Sequence, residues 1–308
     1  TPSDMANVER VEFVKGPGSV LYGAAQPGGS VNTITKKAVN YDFVNIGVQA
    51  GSWDFLRSTI DVNQVVGNAS ARLNVAGDTG NSYVNLQSSN NYLVAPTITW
   101  QATKDLELSY SGDFQKSNVN GGYTGLPAIK GIPNLSAGTN MGQSWTRQSN
   151  TSSTNQGELK YKIDPSWTFR QGIFNANYMG SYSPMITPSM FIAFAGTLDA
   201  ARISAWSSSS SKKNTSSQTE LYGDVKTGPV SHKLLFGYEY AQTLYNWANT
   251  YSPSWGNMFN PQTVNLQNPQ YLPNPNDYGG PTPFGPAAWL WGNNQKSNAF
   301  YAQNQLAW

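Results

Sequence analysis

From Tyr41 onward, apolar and polar side chains alternate with a period of two. Val44, Ile46, Val48 and Ala50 are interleaved with Asn45, Gly47 and Gln49, and Ile60 and Val62 with Thr59, Asp61 and Asn63. Leu73 and Val75 alternate with Arg72 and Asn74, and Leu106, Leu108, Tyr110 and Phe114 with Glu107, Ser109, Ser111, Asp113 and Gln115. Leu234, Phe236, Tyr238 and Tyr240 repeat the pattern around Gly237 and Glu239. Alternation over four to eight residues marks a strand with one apolar face. The pattern predicts ten strands, near 41–51, 55–66, 69–79, 91–103, 105–118, 153–163, 166–180, 201–228, 231–247 and 296–308.

The connections come in two lengths. Short turns fall at Val66–Asn68, Thr103–Asp105, Ile163–Ser166 and Gly228–Ser231, and long ones near 80–91, 119–152, 181–200 and 248–295. Short and long connections on opposite rims are the arrangement of an outer-membrane barrel, with turns in the periplasm and loops outside. Only 51–55 is short where a long connection is allowed. The strand at 201–228 exceeds a span of about 9–11 residues. Its Ser207–Ser211 and Lys212–Lys213 portion is therefore expected to project from the membrane as a solvated extension.

Composition supports the same class. Charged residues make up 12% and hydrophobic residues 38%, with 29 glycines, which fits neither a helical globule nor a charged disordered chain. No apolar run is long enough for a transmembrane helix. Zero cysteines exclude disulfides and thiolate metal sites, and a net charge of +2 gives no reason to expect nucleic acid as a partner. The lone histidine, His232, follows a turn at the periplasmic rim, so neither a histidine metal site nor a catalytic relay is expected. The chain reads as no enzyme, without a cofactor.

Before the alternation begins, Glu9–Lys37 reads ERVEFVKGPGSVLYGAAQPGGSVNTITKK. Glycines at 16, 18, 23, 28 and 29 and prolines at 17 and 27 punctuate three short apolar runs, as strand, turn, helical turn, glycine corner and strand. No Gly-Lys-Ser/Thr follows, so a nucleotide loop is not supported. The stretch resembles the end of the plug domain in TonB-dependent outer-membrane receptors, in its K-G-P-x-S-V-L-Y-G, P-G-G-x-V-N and closing T-K-K. The resemblance implies an all-β fold: residues 1–40 as the C-terminal part of a plug, and 41–308 as the N-terminal half of a transmembrane antiparallel β-barrel. Complete barrels of that family have about 22 strands, so the chain is expected to be a fragment. The segment that contacts TonB is expected outside it, and Trp308 is read as an interface-girdle residue.

Gly16, Pro17, Gly23, Gly28 and Gly29 are read as backbone requirements. Arg10, Glu12 and Lys15 lie on or beside one plug strand and are expected to pair with luminal charges of the barrel wall. By resemblance, Tyr22 sits at the plug apex, where hydroxamate-siderophore receptors touch their ligand; packing of the helical turn is the alternative. Residues 249–295 hold eight prolines and eight aromatics, among them Tyr251 and Trp255, with Asp277 as the only charge. Tyr245 and Trp247 end the preceding strand at the outer mouth, and Trp145, Tyr178 and Tyr182 crowd the other rims. Such residues offer contact area to a bulky, partly apolar ligand, or form an aromatic belt at the lipid headgroups. Tyr123-x-x-Leu126-Pro127 resembles a loop base of ferrichrome-type receptors where an aromatic meets the ligand; the second aromatic found there is replaced by Gly125.

The expectation is thus a receptor importing ferric siderophores, of hydroxamate or mixed type, driven through the TonB complex and seated in outer-membrane lipid. Iron enters only as a chelate. Cobalamin, haem or glycan uptake, and a passive porin, are the alternatives.

Overall fold

A computed structural model describes residues 4–15, 28–122, 136–140, 142–188, 200–251, 262–265 and 289–307. Thirteen strands occur among them. β1 (Val8–Lys15) and β2 (Gly29–Thr35) form a two-stranded antiparallel sheet. The large sheet comprises β3 (Phe43–Gly51), β4 (Phe55–Val66), β5 (Ala69–Asn81), β6 (Ser88–Gln101), β7 (Leu106–Asn120), β8 (Arg147–Lys162), β9 (Trp167–Pro188), β10 (Ala200–Thr227), β11 (Val230–Tyr251), β12 (Gln262–Asn265) and β13 (Trp289–Ala307). Neighbours in sequence are neighbours in space and antiparallel throughout, β12 alone standing aside to pair with the start of β10. A continuous antiparallel meander whose residues alternate apolar and polar is a barrel wall.

All ten expected barrel strands are present, as β3–β11 and β13, but several run further than alternation indicated. β6 starts at Ser88, β8 at Arg147 and β13 at Trp289, while β9 reaches Pro188 and β11 reaches Tyr251. The long connections shrink accordingly. The reason is that the backbone ladder continues beyond the apolar band, where both faces are polar and the period vanishes from the sequence. The Ser207–Ser211 extension is one such stretch: it lies inside a 28-residue β10, paired to β9 on one side and β11 on the other.

The tight 51–55 connection has both central residues, Trp53 and Asp54, at φ 57°. Two residues in that region form the turn whose twist matches a two-stranded ribbon. The Asn81 N–H donates to the Trp53 carbonyl at 2.8 Å and the Asn81 amide to Asp54 at 2.7 Å, holding a backbone that non-glycine residues adopt at a cost.

Apolar burial is sparse. Ala76, Leu93 and Ala95 form a small cluster against Ala6, while Asn63, Asn74, Asn140 and Gln143 are as thoroughly buried. Val44, Ile46 and Val48, by contrast, are 63%, 72% and 68% exposed. Apolar side chains outside and polar ones inside invert a soluble globule and suit a wall between lipid and a wet lumen.

Candidate functional site

Side chains alternate across a sheet, so one contact fixes the face of every position in register with it. The N-terminal segment touches Arg57, Asp61, Asp113 and Gln115, which defines the luminal face. One row of partners then runs Gln115, Ser152, Tyr178, Lys212, Tyr245 and Asn293 across β7 to β13. Glu158, Arg170, Glu220, Trp247, Trp291 and Tyr301 share that face.

Plug and wall are joined by charge. Arg57 forks between Asp4, at 2.7 Å, and Asp78, at 2.8 Å. Lys36 reaches Asp61 at 3.0 Å, and Arg72 holds the same carboxylate at 2.7 Å while donating to the Lys37 carbonyl at 3.0 Å. The Asn7 amide donates to Asp113 at 2.6 Å. Asn63 closes the exit of the plug segment, accepting from the Val39 N–H at 3.0 Å and donating to the carbonyls of Val39 and Tyr41. Burial pushes the Asp4 carboxyl up, but the Arg57 hydrogen bonds and charge, with the Ala6 N–H, outweigh it and hold it below the usual range.

A second group lies within the wall. Arg170 bridges Glu158 at 2.6 Å and Glu220 at 2.5 Å, and Lys160 adds to Glu158 at 2.8 Å. Glu220 also accepts from the Tyr222 and Tyr301 hydroxyls at 2.7 and 2.6 Å. The Tyr301 ring reaches it by lying over Gly237, where a Cβ would come within 2.2 Å of the ring. Tyrosine and glycine here are two halves of one contact.

Higher on β8, β9, β10, β11 and β13, no carboxylate faces the lumen among the described residues. The Tyr245 and Trp291 rings meet edge-on with centroids 5.3 Å apart, and Trp247 stands opposite Trp291 in the ladder. Tyr178 donates to Asn150 at 2.7 Å, and Gln148 to the Tyr182 hydroxyl at 3.0 Å. A cavity of about 630 Å³ joins this region to the clamp, opening between Asp4 and Met5 of the plug segment and a wall that includes Arg57, Asp78, Gln115, Ser152 and Tyr178. The upper lumen offers flat rings, amides and hydroxyls, with Lys212 among them.

Of the expected ligand residues, Tyr245 and Trp247 are brought together on the luminal face. The backbone of Tyr251 ends β11. Tyr22, Tyr123 and Trp255 lie outside the described residues, as do Gly16, Pro17 and Gly23. Gly29 opens β2 at φ 120°, a conformation that requires glycine, and Gly28 has open space around its Cα. Arg10 and Glu12 pair with each other at 2.8 Å, Asn32 also donating to Glu12. Their bonds, Arg10 first, hold the Glu12 carboxyl below the usual range.

The expected Arg10 and Glu12 pairing with the wall is therefore made by other residues, Asp4, Asn7 and Lys36, at the end of the small sheet where β1 begins and β2 finishes. Residues two apart on one strand face the same way and satisfy each other first. Sequence reasoning missed Asp4, Lys36 and the wall charges they meet. The available signal was that Asp61, Arg72 and Asp113 interrupt otherwise uncharged polar faces.

The fold and the clamped segment inside it define a plugged outer-membrane barrel. No protein-family model matches the chain. It is 29% identical over 245 residues to the metal-pseudopaline receptor CntO of Pseudomonas aeruginosa, covering 77% of this chain and 34% of the relative. It is 38% identical over 141 residues to the catecholate siderophore receptor Fiu of Escherichia coli K12, covering 44% and 18%. To the ferrichrome outer membrane transporter/phage receptor of the same strain it is 24% identical over 323 residues, covering 98% and 42%. The chain thus spans less than half the length of each of these curated relatives. Among solved structures, the ferripyoverdine receptor of Pseudomonas aeruginosa superposes with a TM-score of 0.83 at 21% identity, over 97% of this chain and 39% of the other. The open form of Fiu gives 0.81 at 23%, over 98% and 48%. The resemblance read in Glu9–Lys37 is borne out: the curated relatives are siderophore and metal receptors, and the solved folds are the outer-membrane barrels of TonB-dependent receptors.

Proposed function

We propose that this chain is part of an outer-membrane transporter that captures a ferric-siderophore chelate and admits it when the plug moves. The observation that carries this is the division of the lumen: a charge-clamped plug segment below, and Tyr245, Trp247 and Trp291 above with no carboxylate among the described residues there. Flat, amphipathic rings give a large chelate contact area at little conformational cost. Iron is cargo and arrives already chelated, so no side chain is asked to ligate it, and no bond is made or broken. Energy from the TonB complex would release the clamps. The relatives' own ligands include a catecholate siderophore and ferrichrome, which supports a siderophore as cargo and leaves its chelating group to experiment.

The test is a titration of the complete receptor with ferric hydroxamate, catecholate and mixed-chelate siderophores while tryptophan fluorescence is followed. Saturable quenching by one of them, weakened by Trp247→Ala, is expected. Silence across the panel with quenching by cobalamin or a glycan would overturn the cargo.

A further inference from the structure

Two cavities lie in succession along the luminal face of β7 and β8, and a single row of the wall separates them. Gln115, Ser117, Asn150 and Ser152 line the one beside Asp4. The second, of about 250 Å³, lies toward the periplasmic turns. It opens between Thr35, Lys37 and Ala38 of the plug segment and a wall that includes Thr97, Ser111 and Gln156. Thr97 faces Ser111 and Ser111 faces Gln156 in the ladder that sets Gln115 opposite Ser152, so these wall residues share the luminal face. Between the two linings β7 has one luminal position, Asp113, and β8 has its partner, Thr154.

At that row the plug segment touches the wall lightly. The Asn7 amide donates to Asp113 at 2.6 Å, the Asp4 N–H donates to Gln115 at 3.1 Å, and Ala6 packs on Ala76, Leu93 and Ala95. On β4 and β5 the grip is stronger. Two Arg57 nitrogens hold the Asp4 carboxylate, Lys36 holds Asp61, and Arg72 donates to the Lys37 carbonyl. Bidentate ion pairs hold more firmly than single hydrogen bonds, and an alanine leaves an apolar patch without breaking a polar bond. The Lys36 N–H donates to the Asn7 carbonyl at 2.8 Å, tying residues 4–7 to the chain that leaves β2. The segment is thus hinged on β4 and β5, with a free edge against β6 and β7.

The second cavity suits a polar guest. Hydroxyls and an amide line it, and the Thr97 hydroxyl, on a residue only 6% exposed, has no hydrogen-bond partner among the described residues. A buried polar group without a partner costs free energy that an incoming one restores. At about 250 Å³ it falls below the roughly 300–1,000 Å³ of small-molecule sites, so the plug edge must withdraw before a guest fits. We propose that cargo leaves the upper lumen on this side, and that the second cavity is a transient seat on the way. Ala6 and Asn7 part first, from Leu93 and Asp113, while the contacts with β4 and β5 serve as the hinge. Such a passage presupposes the transporter reading; the side on which it opens comes from the wall.

The chain has no cysteine, so thiols can be placed in the complete receptor at chosen pairs. Asn7→Cys/Asp113→Cys and Lys36→Cys/Asp61→Cys variants are each tethered by a short reducible bis-thiol linker. Uptake of radiolabelled iron is then followed in cells, on whichever siderophore quenches tryptophan fluorescence. The first tether should cut uptake at least tenfold, with binding unchanged and recovery on reduction; the second should leave more than half. Undiminished uptake with the first tether, or equal arrest by both, would overturn the proposal. A second readout needs no cargo: labelling of Ser109→Cys, in the lower cavity, by an impermeant maleimide from outside the cell. Adding Asn7→Ala should raise it about fivefold, with unchanged heat-modifiable migration on gels verifying the fold. Unchanged labelling would overturn the passage whatever the cargo is. Raised labelling with silence across the siderophore panel would uphold the passage and replace the cargo.

Discussion

Two levels of the same luminal face, on the same strands, are built from different chemistry. Low on β9, β10 and β11 stand Arg170, Glu220 and Glu239; higher on the same strands and the same face stand Tyr178, Lys212, Tyr245 and Trp247. The lower level uses paired charges that are partly shielded from water, with Arg57 and Asp4 side chains 18% and 10% exposed. Such pairs hold a geometry firmly because separating them leaves a charge without its partner. The upper level uses rings, which bind through area and leave nothing costly behind when a ligand departs. One level is suited to holding a plug, the other to meeting a transient guest.

The comparison is broken most forcefully at Arg57. Arg57→Gln leaves Asp4 and Asp78 facing each other without the cation that both contact. We expect a loss of about 2 kcal/mol in stability, less than for a fully buried pair because water reaches the site. Urea denaturation measures it, and Asp4→Asn in the same background should restore part of it by removing the repulsion. The upper level should respond to substitution in the opposite manner. Trp247→Ala or Trp291→Ala should weaken chelate binding by about tenfold each, the share of a buried aromatic contact, with the denaturation midpoint unchanged. If Trp247→Ala unfolds the receptor instead, the aromatic level is structural and the division fails.

Gly237 tests the wall between the levels. Gly237→Ala places a Cβ where the Tyr301 ring lies and forces it away from Glu220. The cost should be about 1–2 kcal/mol, the usual price of overpacking, and Tyr301→Ala in the same background should relieve the clash while the hydrogen bond stays lost.

How much of this was legible in the sequence depended on where polar and apolar residues had reason to alternate. Within the lipid band they do, so β3 to β7 could be placed from Val44, Ile60, Leu73 and Leu108 and their neighbours. Beyond it both faces are wet, and stretches such as Arg147–Ser152 or Ser207–Ser211 carry no period, so strand ends there were invisible. The luminal placement of Tyr245 and Trp247 on β11 was legible because the alternation of Leu234, Phe236, Tyr238 and Tyr240 sets which face the odd-numbered positions take. Asp4 and Lys36 were not, because their partners Arg57 and Asp61 are distant in sequence and only the register of β4 brings them together. Arg10 and Glu12 looked like the clamp because they are charged and adjacent; their adjacency is what lets them satisfy each other.

The finest distinction between the levels is their response to acid. The Asp4 carboxyl is held below its usual range in the folded chain by Arg57 and the Ala6 N–H, against burial. Its unfolded value is near 3.9, so its contribution is complete above that pH and is lost as pH falls through the lower folded value. Between pH 5 and 7 the clamp should therefore be level, and below about 4 it should weaken. Hydrogen exchange of residues 4–15, followed from pH 7 down to 3 and corrected for intrinsic rates, reads this directly. Asp4→Asn should exchange faster at pH 7 and show a flatter acid dependence. The upper level, with no carboxylate among its described residues, should bind a neutral, acid-stable chelate equally well across the same range. An acid dependence that persists unchanged in Asp4→Asn would move the titrating clamp to another of the wall's carboxylates.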